Sequence, residues 1–371
     1  ENLELVEARR LNIKTQKYAE ALEKLTREKF TIAISGTHGK STVTAMVGLM
    51  MERAGLDPTV IVGTKVREWD NSNFRAGQSK YLVIEADEYD RSFLNYWPKI
   101  IILTNIEEDH LDTYPGGLPD IMETFSEYIS HLPEDGTLIA NEEDINISKI
   151  KDQKSKLQFK IQNYNSNVVE GLNLKIPGRH NLSNANAALA LAEILGIDEK
   201  TAIEALNDFS GTWRRLEYKG EINGTKIYDD YGHHPTEIKA TLEAARELLE
   251  KNPPQPPFLK GGGKLWCVFQ PHQYHRTYDL FDKFVGAFGA ADKVILLPIY
   301  SVAGREDEEI KKKVSSEKLA LCLQAQGKPE NIIYLENFDK TAEYLKKNLQ
   351  PGDICVIMGA GDVYKLTQNL I

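Results

Sequence analysis

Lys40 and Ser41, with Gly36 and Gly39 just before them, have the types and spacing needed to hold a polyphosphate. The string runs Gly36-Thr37-His38-Gly39-Lys40-Ser41-Thr42. Backbone N–H groups of such a turn converge on an anion, a lysine adds a point charge, and the hydroxyl after it can ligate Mg²⁺. The general phosphate-loop pattern has one more glycine upstream, where Ile34 stands here. An ordinary turn between strand and helix is therefore the competing reading.

Two clusters of polar ligands each follow an apolar run. Glu85-Ala86-Asp87-Glu88-Tyr89-Asp90 follows Tyr81 to Glu85, and Asn105 to Asp112, containing His110, follows Lys99 to Thr104. Open α/β sheets bind ligands at the carboxyl ends of their strands. A carboxylate there would complete a Mg²⁺ site with Ser41, and Glu85 with His110 could serve two metal positions. Magnesium prefers oxygen, so His110 would have to share the ion with substrate or water.

Further along, Pro177 to Asn186 opens an Ala/Leu-rich helix with His180, Asn181 and Asn184. These are either helix caps or donors and acceptors for a purine edge. Phe209 to Thr212 reads as a hinge. Trp213-Arg214-Arg215 follows, two guanidiniums suited to clamping phosphate. Asp229-Asp230-Tyr231-Gly232-His233-His234 and Gln270-Pro271-His272-Gln273-Tyr274-His275-Arg276 again follow short apolar runs. The late Gly359-Ala360-Gly361 lacks the third glycine of a dinucleotide fingerprint.

The elements that must carry these residues alternate. Thr31–Ile34, Thr59–Gly63, Tyr81–Glu85, Lys99–Thr104 and Thr137–Asn141 read as buried strands, with helices over 42–53 and 122–131. Short strands are expected up to Leu174. After the hinge, strands at 225–228, 265–269, 293–297 and 353–358 alternate with helices, predicting a second doubly wound unit. The loop 67–79 is either plain surface or faces a substrate. The Pro/Gly-rich run 252–263 reads as an exposed insertion.

The chain has 371 residues, 41% hydrophobic and 27% charged, enough for two or three globular domains. A formal charge of −10 argues against nucleic acid or an anionic membrane as the main partner, but not against a nucleotide. Cys267, Cys322 and Cys355 are far apart and predict reduced, buried thiols of a cytoplasmic protein. No apolar run approaches the roughly 18 residues of a membrane span.

GTHGKS, EADEYDRSFL, TNIEEDHLDTY, GRHNLSNANAALA, WRRLE, DDYGHHPTE and FQPHQYHRT, in this order, resemble the Mur ligase family over nearly the whole chain. These are ATP-dependent amide-forming enzymes of peptidoglycan synthesis. DDYGHHPTE with FQPH resembles the branch that adds L-alanine to UDP-N-acetylmuramate, rather than the tripeptide-recycling ligase. The resemblance implies an α/β protein with a central phosphate-loop ATPase domain, 30–211, and a Rossmann-like amino-acid-binding domain, 212–371. Residues 1–29 look like the tail of a UDP-binding domain that should precede them.

By the same resemblance, Gly36, Thr37, His38, Gly39, Lys40, Ser41 and Thr42 would hold ATP, and Ser41, Glu85 and His110 would hold Mg²⁺. His180, Asn181 and Asn184 would meet the adenine, Arg214 or Arg215 the γ-phosphate, and Asp230 the ribose side. His233, His272 and Arg276 fall on the substrate side. Lys40, His110, Arg215 and His272 are the expected catalytic residues. Gln273 stands where relatives are often basic. Phe125 stands where some carry a carbamylated lysine, so none is expected. Closure of the second unit onto the first is expected to bring Arg214/Arg215 and His272 to the chemistry. The alternatives are a ligase for another acceptor or amino acid, and a remnant that only binds nucleotide.

Overall fold

The computed structural model describes residues 2–153, 158–251, 262–302, 308–326 and 329–371. Of the expected insertion at 252–263, all but Gly262 and Gly263 lies outside the described residues.

Two helices, α1 (Leu3–Arg10) and α2 (Tyr18–Glu28), precede the first sheet. The sheet comprises β1 (Phe30–Ser35), β2 (Thr59–Val66), β3 (Ser72–Arg75), β4 (Tyr81–Glu85), β5 (Ile100–Leu103), β6 (Thr137–Asn141) and β7 (Lys160–Tyr164). Their order is β3-β2-β4-β1-β5-β6-β7, parallel except for β3. Between strands lie α3 (Lys40–Arg53), α4 (Leu118–Ile129) and α5 (Ile145–Gln153), and α6 (Arg179–Leu195) with α7 (Glu199–Asp208) follow.

Both faces of the sheet are covered, which is why its strands read as unbroken apolar runs. The period of two still sorts them. Ile32, Ile34, Ile100 and Ile102 face α3, α6 and α7, whereas Ala33, Ile101 and Leu103 face α2, α4 and α5. Phe125 is one of these core residues, edge-on to Phe93.

The second sheet holds β8 (Glu217–Ile222), β9 (Thr225–Asp230), β10 (Leu265–Phe269), β11 (Lys293–Leu296), β12 (Ile332–Tyr334) and β13 (Ile354–Met358). The order is β12-β11-β10-β13-β9-β8, with β8 antiparallel. Helices α8 (Pro235–Lys251), α9 (Tyr274–Asp279), α10 (Phe281–Val285), α11 (Glu308–Lys313), α12 (Ser316–Gln326), α13 (Phe338–Asn348) and α14 (Lys365–Leu370) accompany it. In the first sheet the connections of the neighbouring strands β1 and β5 run in opposite directions, β1 toward β2 and β5 toward β6. Such switch points open crevices at the carboxyl ends, where the clusters above lie.

Two expectations need correction, and between them one open alternative is decided. The stretch 142–174 holds a helix, α5, and a single strand among its described residues, because Ile147 and Ile150 supply a buried stripe. The loop 67–79 forms the edge strand β3 and does not face the crevice. Trp69 packs over Gly48 and donates to Glu52, and Arg75 pairs with Glu52 and Asp57. Cys322 is exposed, unlike Cys267 and Cys355, because α12 buries Leu319, Ala320 and Leu323 instead.

Candidate active site

The turn between β1 and α3 is held by its neighbour β5. Thr104 Oγ1 and Asn105 Nδ2 both donate to the His38 carbonyl, and the His38 N–H donates to Asn105 Oδ1 at 2.8 Å. This closeness dictates glycine at 36. Its φ is +130°, and a Cβ would lie 2.2 Å from Thr104 Oγ1. Gly39, at φ +85°, is met by Asn184 Oδ1 in the same way.

Lys40 extends under this turn. Its Nζ donates to the carbonyls of Gly36 and Thr37 and to Glu88 Oε2 at 2.7 Å. Burial alone would lower the lysine pKa, but Glu88 and Asp87 outweigh it and hold the ammonium charged. Burial pushes the Glu88 carboxyl up to about 7 against the pull of Lys40.

Ser41 Oγ donates to Glu85 Oε1 at 2.8 Å, and the Gly63 N–H donates to the other carboxylate oxygen. Glu88 Oε1 is buried without a hydrogen-bond partner and lies 4.0 Å from His110 Nε2. A serine hydroxyl, the Glu85 carboxylate and an unsatisfied carboxylate oxygen fit a hard divalent cation. Asp87, Glu88 and His110 also place three ligand atoms within 4.8 Å of one another. The structure thus brings together the predicted Ser41, Glu85 and His110, and adds Asp87 and Glu88.

Across the crevice, the second sheet supplies Arg215, His233, His272 and Arg276. They line one cavity of about 460 Å³ with Lys40, Ser41, Glu85 and His110. In this structure Arg215 and His272 already line the same cavity as the loop. Arg276 Nε pairs with Asp109 Oδ1 at 2.9 Å, and its Nη1 reaches Gln273 Oε1 and His272 Nδ1 at 3.4 Å. The His272 ring stacks on Tyr300. Burial, with Arg276 adding to it, lowers His233 to about 3, so this ring is neutral.

A second cavity of about 290 Å³ adjoins the first and is lined by His180, Asn181, Asn184 and Asp230. Asn181 donates to the Pro177 carbonyl and Asn184 to Asn181. Asp230 accepts N–H groups from Gly232 and Leu216, and burial raises its pKa to about 6. His38, Arg215 and Glu237 line both cavities.

Arg214 is not in either. Its guanidinium is buried, pairs with Asp229 at 3.0 Å and donates to the carbonyls of Gly359 and Gly361. It fastens the Gly359–Gly361 turn, which gives that turn a structural role. Arg214 itself has φ +57°, so successive side chains point to opposite sides and Arg215 alone faces the cavities.

Sequence reasoning missed Glu88 as the partner of Lys40, Asp109 as the partner of Arg276, and Glu237. Glu88 lay within the acid cluster already singled out. The other two pairings join segments distant in the chain.

Residues 34–164 match the Mur ligase middle domain, and residues 214–361 match the glutamate ligase domain of the Mur ligases. A UDP-N-acetylmuramate–L-alanine ligase from Clostridium acetobutylicum is 39% identical, the alignment covering all of this chain and 82% of that protein. One from Clostridium tetani is 40% identical, over 98% of this chain and 81% of that protein. The crystal structure of the UDP-N-acetylmuramate–alanine ligase of Thermotoga maritima superposes with a TM-score of 0.78. It is 25% identical and is matched over 81% of its length by the whole of this chain. Sequence kinship over the full chain, with the phosphate loop and its facing site intact, establishes that the chain belongs to the Mur ligase family.

Proposed function

We propose that the chain joins L-alanine to UDP-N-acetylmuramate in an ATP-dependent, amide-forming step of peptidoglycan precursor synthesis. One observation carries this reading: Lys40, Ser41, Glu85 and His110 share a single cavity with Arg215, His272 and Arg276. Anion-binding and cation-binding groups thus face groups able to meet a second substrate. Kinship with alanine ligases at 39% and 40% identity supports the choice of substrates.

A carboxylate is a poor electrophile at neutral pH. In the proposed reaction its oxygen attacks the γ-phosphorus of ATP, forming an acyl phosphate and ADP. The alanine amine then attacks the acyl carbon, phosphate leaves with the C–O bonding electrons, and one amine proton passes to the departing phosphate or to water. Catalysis here is mainly positioning and charge neutralisation. Residues 30–211 would bind the nucleotide and 212–371 the amino acid.

Lys40 would exchange its contact with Glu88 for a phosphate oxygen. Arg215 would neutralise charge on the transferred group from the opposite wall. His180, Asn181, Asn184 and Asp230 form the cavity that would take adenine and ribose. His233, neutral, and His272, fixed on Tyr300, would border the amine, with Arg276 beside them. Ser41, Glu85 and His110, with Asp87 and Glu88 adjacent, would hold Mg²⁺, which when bound neutralises phosphate charge. Among the described residues no helix is long and apolar enough to cross a membrane. We place the reaction in the cytoplasm, where ATP is made.

The test is phosphate release from ATP and Mg²⁺, with UDP-N-acetylmuramate and L-alanine supplied singly and together. Release that requires both supports the proposal. Release that is indifferent to either, or that requires another acceptor or amino acid, refutes it.

A further inference from the structure

His38, Glu107 and His234 place three ligand atoms within 4.8 Å of one another, apart from the oxygen-rich site at Ser41 and Glu85. His38 Nε2 lies 3.3 Å from Glu107 Oε2, and His234 Nδ1 lies 3.7 Å from the same oxygen. Ligands about 2.0–2.1 Å from a tetrahedral ion stand roughly 3.4 Å apart, so both separations suit one. The two rings face each other with centroids 4.8 Å apart.

The groups behind these ligands have the arrangement that metal-binding imidazoles need. The other nitrogen of His38, Nδ1, lies 3.3 Å from Glu237 Oε1. The other nitrogen of His234, Nε2, lies 3.2 Å from the Glu108 carbonyl. An N–H at each of those positions leaves the lone pairs of His38 Nε2 and His234 Nδ1 directed at Glu107. A carboxylate or carbonyl behind each imidazole is the usual way a protein fixes the tautomer of a metal ligand. Glu107 is itself held by a hydrogen bond from Thr236 Oγ1 at 2.6 Å. An ion would displace two long contacts, from the Thr236 N–H to His234 Nδ1 and between His38 Nε2 and Glu107 Oε2, each 3.3 Å.

We propose that His38, Glu107 and His234 form a binding site for a transition-metal dication of the zinc class, separate from the magnesium site. Two imidazoles and one carboxylate are a borderline-soft set that favours Zn²⁺, Co²⁺ or Ni²⁺ over Mg²⁺. His38 and Glu107 both line the smaller cavity, from which a fourth ligand can come. His38 belongs to the phosphate loop, Glu107 follows β5, and His234 precedes α8 in the second sheet's unit. A bound ion therefore staples the loop to the facing unit, in place of an Nε2 proton facing Glu107, while the Nδ1–H stays on Glu237. Binding releases that proton.

The test is Co²⁺ titration of the full chain with Mg²⁺ in large excess to occupy the oxygen site. The expected result is one equivalent bound, with the intense visible d–d absorption of four-coordinate cobalt, displaced by Zn²⁺. His234→Asn and Glu107→Gln are each expected to weaken binding at least about 100-fold. The Glu107 side chain is 37% exposed, so its replacement tests the site even if His234→Asn fails to fold. His110→Asn is expected to retain both the spectrum and the affinity. Unchanged binding in Glu107→Gln, loss of the signal only in His110→Asn, or a six-coordinate spectrum would each overturn the proposal.

Discussion

The Asp109 carboxylate and the Arg276 guanidinium meet at 2.9 Å, each side chain only 7% exposed, and so join the two sheets beside the active site. One partner is the chain neighbour of His110, and the other stands in α9, just after His272. Burial alone would raise the Asp109 pKa, but the Arg276 guanidinium outweighs it and holds the carboxyl well below the usual range. Asp109→Asn strands the arginine in the interior, which costs about 3–5 kcal/mol for a buried pair. Urea unfolding should show that loss at pH 7. Stability of the wild type relative to the variant should shrink as pH falls below the ordinary aspartate value, about 4.

The adjacent arginines should part company. Arg214→Ala removes the counter-charge of Asp229 and should destabilise the fold by about 3–5 kcal/mol. Arg215→Ala should leave the unfolding free energy within about 0.5 kcal/mol and lower kcat roughly 10²–10³-fold. Equal losses of stability in the two variants would contradict the assignment of Arg215 to the cavity.

His38 gives a pH signature. Burial would lower its pKa, but the hydrogen bonds to Glu107 and Glu237 outweigh this and raise it to about 9. The folded state therefore binds the proton more tightly than the unfolded chain, whose histidine titrates near 6.5. In the presence of a chelator, the stability that His38 contributes relative to His38→Asn should be complete below about pH 6.5. It should decline from there and vanish above about pH 9. A difference that grows with pH over this range would refute the assignment.

Gly36→Ala places a methyl group against Thr104 Oγ1 and the Asn105 carbonyl in a left-handed backbone. The strain is of order 1–3 kcal/mol before any clash is relieved, and the turn must open to relieve it. Titration with a fluorescent ATP analogue should detect no binding at concentrations that saturate the wild type. Tight binding by the variant would mean the turn does not hold the phosphates.

Ser41→Ala and Glu85→Gln each remove part of the hard-oxygen donor set. Both should raise the Mg²⁺ concentration for half-maximal activity about 10–100-fold, with folding preserved. An unchanged Mg²⁺ dependence in both variants would locate the ion elsewhere.

The phosphate loop was legible because its signal is local: strand, glycines, lysine, hydroxyl and helix lie within a few residues. The alternation of apolar runs gave the two sheets for the same reason, and the ends of those runs gave Glu85, His110, His233 and His272. What escaped was set by long-range packing. Arg214 and Arg215 are equivalent in sequence, and the turn at Arg214 that separates them depends on Asp229 and the Gly359 carbonyl. Asp109 and Arg276 are 167 residues apart and meet only because both sheets point their carboxyl ends at one crevice. Trp69 lies in the polar loop 67–79, and the absence of a side chain at Gly48 leaves it a place to bury.

Glu237 stands where the two cavities adjoin, held by His38 at 3.3 Å and approached by Arg215 at 3.6 Å. These are the cations a polyphosphate spanning both cavities would meet. The resting cleft already holds an anion of its own, so on the proposed reading nucleotide binding would exchange one anion for another. Its affinity measures how much better phosphate serves those cations than a tethered carboxylate does. Product departure has a ready competitor in the same side chain. On that reading Glu237 would compete with the outgoing nucleotide for His38 and Arg215, and a strong grip during transfer would not entail slow release afterwards.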